Sequence, residues 1–132
     1  MKNEMRHWQQ TTVCVIDDND SVRELICRVL QGAGFATIPA PDGNSGMRET
    51  ERKRPAVVVT DMVMARGDGI ETILELRRRA PDVRILAMSG GGQCGGRDLL
   101  ELARCAGADA CLAKPFQVSE LVRRVTLLAL AA

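Results

Sequence analysis

No cysteine pattern, no surplus of either charge and no long apolar stretch marks this chain, and each absence closes a class of protein. The cysteines are odd in number, at Cys14, Cys27, Cys94, Cys105 and Cys111, with no C-x-x-C pair. Neither a disulfide framework nor a zinc site fits that spacing, which points instead to buried or incidental thiols in a reducing compartment. Lysine and arginine number 18 against 17 acids, a formal net charge of +1. That balance gives no bulk electrostatic pull toward nucleic acid or a membrane surface. The opening MKNEMRHWQQ has no apolar signal core, and no run reaches the length of a bilayer span. The expected location is therefore the cytoplasm, with neither a membrane nor a nucleic-acid partner. The one histidine, His7, lies in that polar lead-in and is assigned to solvent, with no catalytic role.

What is present is a regular alternation. The 132 residues are 45% hydrophobic and 27% charged, the make-up of one compact domain that builds its core without disulfides. Short apolar runs at 12–16, 35–38, 56–60, 83–88 and 110–113 are too brief for buried helices and read as strands. Between the first two, Val22, Leu25, Ile26, Val29 and Leu30 recur at helical spacing, with Asp20 or Ser21 as N-cap and Gly32 and Gly34 as the stop. A second helix over 44–54 ends in Arg52-Lys53-Arg54 before Pro55, where cations suit the negative end of the helix dipole. A third over 70–80 places Ile73, Leu74 and Leu76 inward, and two more cover 98–106 and 118–130. Strands alternating with helices predict an α/β fold: a doubly wound, five-stranded parallel sheet with five helices on its two faces. No linker or repeat interrupts it, so a single domain is expected over 1–132, with a core from about 12 to 130.

The polar residues are placed non-randomly on this frame. Asp17 and Asp18 follow the first strand, Asp61 the third, Ser89 the fourth and Lys114 the fifth. These are carboxyl ends of parallel strands, where open α/β sheets bind ligands. A solvated loop carboxylate or helix cap accounts for any one of them, but not for four charged groups at one end. Two carboxylates about 4 Å apart repel by about 4 kcal/mol at an effective dielectric of about 20. Such a group retains a proton or binds a cation, and an all-oxygen site with water suits Mg²⁺. With Lys114 and Ser89 alongside, the set suits a phosphoryl group in transfer, with a carboxylate as nucleophile.

The acidic pair, the run Asp61-Met-Val-Met-Ala-Arg-Gly-Asp-Gly-Ile-Glu71, Ser89-Gly90 and Lys114-Pro115-Phe116, in that order, resemble the receiver domain of bacterial two-component response regulators. The resemblance covers nearly the whole chain, from about Thr12 to Leu130. It implies a flavodoxin-like sheet of order 2-1-3-4-5. It also implies that Asp61 accepts a phosphoryl group from a histidine kinase or a histidine phosphotransfer protein. Asp18 would ligate Mg²⁺ directly, Asp17 mostly through water, and the Val63 carbonyl would complete the protein's share. Lys114 would contact the acyl phosphate, Ser89 would move to hydrogen-bond it, and Pro115 would follow a cis peptide. The output would be binding to a downstream target protein through the fourth helix, fifth strand and fifth helix. Such a chain is not a turnover enzyme on an external substrate.

The sequence departs from the family pattern in three places. Ala65 and Gly67 stand where the family usually has Pro and often Met. Cys111 occupies the position three before Lys114, commonly an aromatic, and the chain has no tyrosine at all. Five of the seven residues after Ser89, in GGGQCGG, are glycine, so a mobile loop and a late start to the fourth helix are expected, with ordering of that loop as part of the switch. Rival motifs are weaker. Gly90-x-Gly92-x-x-Gly95 has the form of a dinucleotide fingerprint, but its acid, Asp109, precedes the next strand instead of ending it. Asp18-x-Asp20-x-Val22 resembles the nucleophile motif of haloacid-dehalogenase-type phosphatases, an alternative in which Asp18 is the nucleophile and Asp20 the acid/base; it leaves Asp61 unexplained. Arg66-Gly67-Asp68 has an integrin-binding form and reads as a loop coincidence.

Overall fold

The computed structural model describes residues 11–64, 69–90 and 96–132. His7, Cys94, the Ala65 and Gly67 positions, the Arg66-Gly67-Asp68 tripeptide and the glycine-rich loop at 91–95 lie outside the described residues. In chain order the elements are β1 (Thr12–Ile16), α1 (Asp20–Gly32), β2 (Ala36–Ala40), α2 (Gly43–Lys53) and β3 (Val57–Asp61). They continue with α3 (Gly69–Arg79), β4 (Arg84–Gly90), α4 (Gly96–Ala106), β5 (Ala110–Lys114) and α5 (Val118–Ala131). All strand pairings are parallel, in the order β2-β1-β3-β4-β5.

Two-residue periodicity divides the central strands between two cores. Val13 and Val15 of β1 and Val57 and Val59 of β3 face Ile26, Cys27 and Leu30 of α1 and Leu121 and Val125 of α5. Cys14, Ile16 and Val58 face Met47 of α2, Ile73 and Leu76 of α3 and Ala103 of α4. A strand covered on both sides needs apolar residues on both faces, which is why β1 reads Val-Cys-Val-Ile over 13–16 and β3 Val-Val-Val over 57–59.

Several boundaries differ from expectation for identifiable reasons. β2 extends through Pro39 to Ala40, beyond the predicted end at 38. It is an edge strand, where a residue without an N–H is tolerated. The N-cap of α1 is Asn19, not Asp20 or Ser21: its side-chain oxygen accepts from the Val22 N–H at 3.0 Å. Asp20 already belongs to the first turn, where a carboxylate suits the positive end of the helix. Gly34 follows α1 at φ +102, a conformation glycine adopts without strain. Leu25 and Leu74 point outward, 58% and 52% exposed, although each lies beside an inward residue. One residue along a helix turns the side chain by about 100°, enough to carry it off the buried stripe. The fourth helix begins at Gly96 and not near Asp98. The basic end of α2 matches expectation: Arg52 and Lys53 fill its last turn and Arg54 caps it before Pro55.

Candidate functional site

The register brings the predicted residues to one end of the sheet. Ile16 of β1 pairs with Thr60 of β3, so Asp17 and Asp61 are the next residues along adjacent strands. Asp61 pairs with Met88 of β4, which puts Ser89 one residue further, and Gly90 pairs with Lys114 of β5. The Asp17 N–H donates to the Ala40 carbonyl at 3.1 Å, which keeps the chain in sheet register one residue past β1. Asp17 is wholly buried, whereas Asp18 is exposed.

Each buried carboxylate is held by a backbone amide on one oxygen and faces the same ammonium with the other. Asn19 N–H donates to Asp17 Oδ1 at 2.9 Å, and Val63 N–H donates to Asp61 Oδ1 at 3.1 Å. Lys114 Nζ stands 3.5 Å from Asp17 Oδ2 and 3.3 Å from Asp61 Oδ2. Burial pushes the Asp17 carboxyl above its ordinary value; the Asn19 amide and Lys114 oppose this, and the Asp61 charge adds to it. A ligand oxygen from each of Asp17, Asp18 and Asp61 lies within 4.8 Å of the others. Among the described residues Lys114 faces the two buried carboxylates, and the all-oxygen donor set fits a hard divalent cation.

Ser89 is fully buried at the end of β4, and its hydroxyl has no hydrogen-bond partner among the described residues. A buried hydroxyl left unpaired costs stability unless something uses it. Val63 is placed beside Asp61 by its amide and is 56% exposed. The Lys114–Pro115 peptide is cis. Cys111 is half-buried and packs against the core cluster that includes Ile85, Ala87 and Ala103.

Two neighbours of the site were not found from sequence. Asn19 caps α1 and holds Asp17 at once, which the strong N-cap preference of Asn could have signalled. Arg23 donates to the Asp17 carbonyl and to Asp20, a contact with backbone that no motif marks. Asp20, the acid/base of the phosphatase alternative, is 88% exposed and ion-paired with Arg23.

Residues 13–126 match the family model of the response regulator receiver domain, and the chain belongs to that family. Response regulator MprA of Mycobacterium leprae is 34% identical over 116 residues, covering 88% of this chain and 50% of MprA. Transcriptional regulatory protein PdtaR of Mycobacterium tuberculosis is 35% identical over 118 residues, covering 87% of this chain and 55% of PdtaR. The chain thus spans about half the length of the curated relatives it matches. The crystal structure of the NtrX receiver domain from Brucella abortus superposes with a TM-score of 0.85 at 24% identity, covering 91% of this chain and 99% of that one, a likeness of fold. Receiver domains are the phosphoacceptors of two-component signalling, not enzymes that turn over an external substrate. Among the described residues no helix is long and apolar enough to cross a membrane.

Proposed function

We propose that Asp61 is the phosphoacceptor, that Asp17, Asp18, Asp61 and the Val63 carbonyl hold Mg²⁺, and that Lys114 and Ser89 bind the transferred group. The observation that carries this is the convergence of three carboxylates within 4.8 Å beneath the Lys114 ammonium. A bound Mg²⁺ supplies the positive charge that a phosphoryl group's oxygens require in this acidic crevice. An Asp61 oxygen attacks phosphorus, the bond to the donor's imidazole nitrogen breaks, and the imidazole leaves with the bonding pair and takes up a proton. The Val63 amide orients the attacking carboxylate. Lys114, already 3.3 Å from Asp61, meets the charge that arrives. The unpaired Ser89 hydroxyl donates to a phosphoryl oxygen.

The donor in this reading is a histidine kinase or histidine phosphotransfer protein, and the output is binding to a target protein. Residues 12–130 act as one unit in a cytoplasmic phosphorelay. The test is incubation with acetyl phosphate and Mg²⁺ followed by intact mass measurement. A single phosphoryl adduct is expected on the wild type, lost with a chelator and lost in Asp61→Asn. An adduct that survives Asp61→Asn overturns the assignment of Asp61. Hydrolysis of small phosphate esters abolished only by Asp18→Asn would favour the phosphatase alternative.

A further inference from the structure

Arg23 belongs to α1, yet its guanidinium reaches back into the loop that carries the acidic pair. Nη1 donates to the Asp17 carbonyl at 2.8 Å, and Nη2 donates to Asp20 Oδ1 at 2.7 Å. The Arg23 side chain is only 18% exposed, whereas that of Asp20 is 88% exposed. An exposed pair contributes little, so the bond to the Asp17 carbonyl is the anchor. That carbonyl belongs to the peptide joining Asp17 to Asp18, and its orientation sets the direction in which the two carboxylates leave the chain. The same loop is held by Asn19 N–H on the Asp17 carboxylate and by Asp17 N–H on the Ala40 carbonyl.

Charge and geometry make opposite demands here. A guanidinium close to a cation site repels the cation, so by charge alone its removal tightens metal binding. We infer that Arg23 is a positioning residue for the acidic site: its fork fixes the Asp17–Asp18 peptide, and this outweighs its own repulsion of the cation. The inference rests on the reading that these carboxylates hold Mg²⁺.

The sign of one measurement decides it. The Mg²⁺ dissociation constant of the full chain is measured by calorimetry for the wild type, Arg23→Gln, Arg23→Lys and Arg28→Gln. Arg28 lies on the same helix and pairs with Glu24, so its loss removes the same charge away from the loop. Arg23→Gln should weaken binding about tenfold, the lower end of the usual cost of losing a residue that orients metal ligands. Arg23→Lys keeps the charge but not the planar fork and should also weaken binding, while Arg28→Gln should match the wild type. Binding equal to or tighter than wild type in Arg23→Gln overturns the inference. If Arg23→Gln fails to fold by thermal melting without Mg²⁺, wild-type affinity in Arg23→Lys overturns it instead. A wild type that binds no Mg²⁺ overturns the site reading itself, a distinguishable result.

Discussion

Asp17 shows how one residue can be poor for the fold and still belong to the carboxylate cluster. Its carboxyl is buried, its ordinary value is pushed up by desolvation, and a second carboxylate lies beside it. Ionisation above that raised value therefore weighs against the metal-free fold. Asp17→Asn keeps an oxygen for the Asn19 amide and removes the charge. It should raise the melting temperature measured in chelator at neutral pH while weakening Mg²⁺ binding; a lower melting temperature would contradict this account. Cys14 is the opposite case, a titratable group with no task in the site. Burial pushes its thiol from 9.0 up to about 12, so its contribution to stability is complete below 9.0 and is lost as pH rises through about 12. With a thiol reagent at neutral pH, exposed Cys105 should be modified first among the described cysteines, and Cys14 and Cys27 only after unfolding, as read by peptide mass. Equal rates at Cys14 and Cys105 would refute this.

At the scale of elements, the site depends on how closely the loops after β1 and β3 are packed. α3 begins at Gly69, where a Cβ would lie 2.5 Å from Met62 Cα and 2.8 Å from the Asp61 carbonyl oxygen. Both obstacles are backbone of the loop that presents Asp61, so neither can rotate away. Gly69→Ala should cost about 1–3 kcal/mol in urea unfolding, the usual penalty for overpacking. Unchanged stability would show that the start of α3 shifts freely. The far end of α3 is tied down differently. Arg77 donates to the carbonyls of Gly107 at 2.7 Å and Val83 at 2.6 Å and pairs with Asp109, joining α3 to β4 and to the turn before β5. Helix order and type were legible from apolar periodicity, but not which members of each apolar set face inward. Leu25 and Leu74 satisfied the spacing and still lie at the surface, because neighbouring elements cover only a narrow stripe of each helix.

For the whole molecule, the two-sided sheet supplies stability at the apolar faces and leaves one end to carry the carboxylate cluster. A cation that binds only the folded chain stabilises it by mass action. Mg²⁺ at a hundredfold excess over its dissociation constant should add about 2.7 kcal/mol to unfolding stability. Asp18→Asn and Asp61→Asn should each remove most of that gain, as read from melting curves with and without the ion. A wild-type melting curve indifferent to Mg²⁺ would exclude the ion from this site.

Local chemistry along the chain was enough for the α/β class, the sheet order that the motifs implied, and the candidates Asp17, Asp18, Asp61, Ser89 and Lys114. Those features follow from short-range rules: apolar periods, polar residues just past strand ends, and motifs in a set order. The cap at Asn19, the extension of β2 through Pro39 and the reach of Arg23 to the Asp17 carbonyl were settled only by the fold. Each depends on backbone groups that residue type does not reveal, such as the orientation of a carbonyl or the edge position of a strand. The nearness of Lys114 to both Asp17 and Asp61 has the same origin. Residues remote in sequence meet because parallel pairing aligns the ends of β1, β3, β4 and β5, and distance in space is a property of that register.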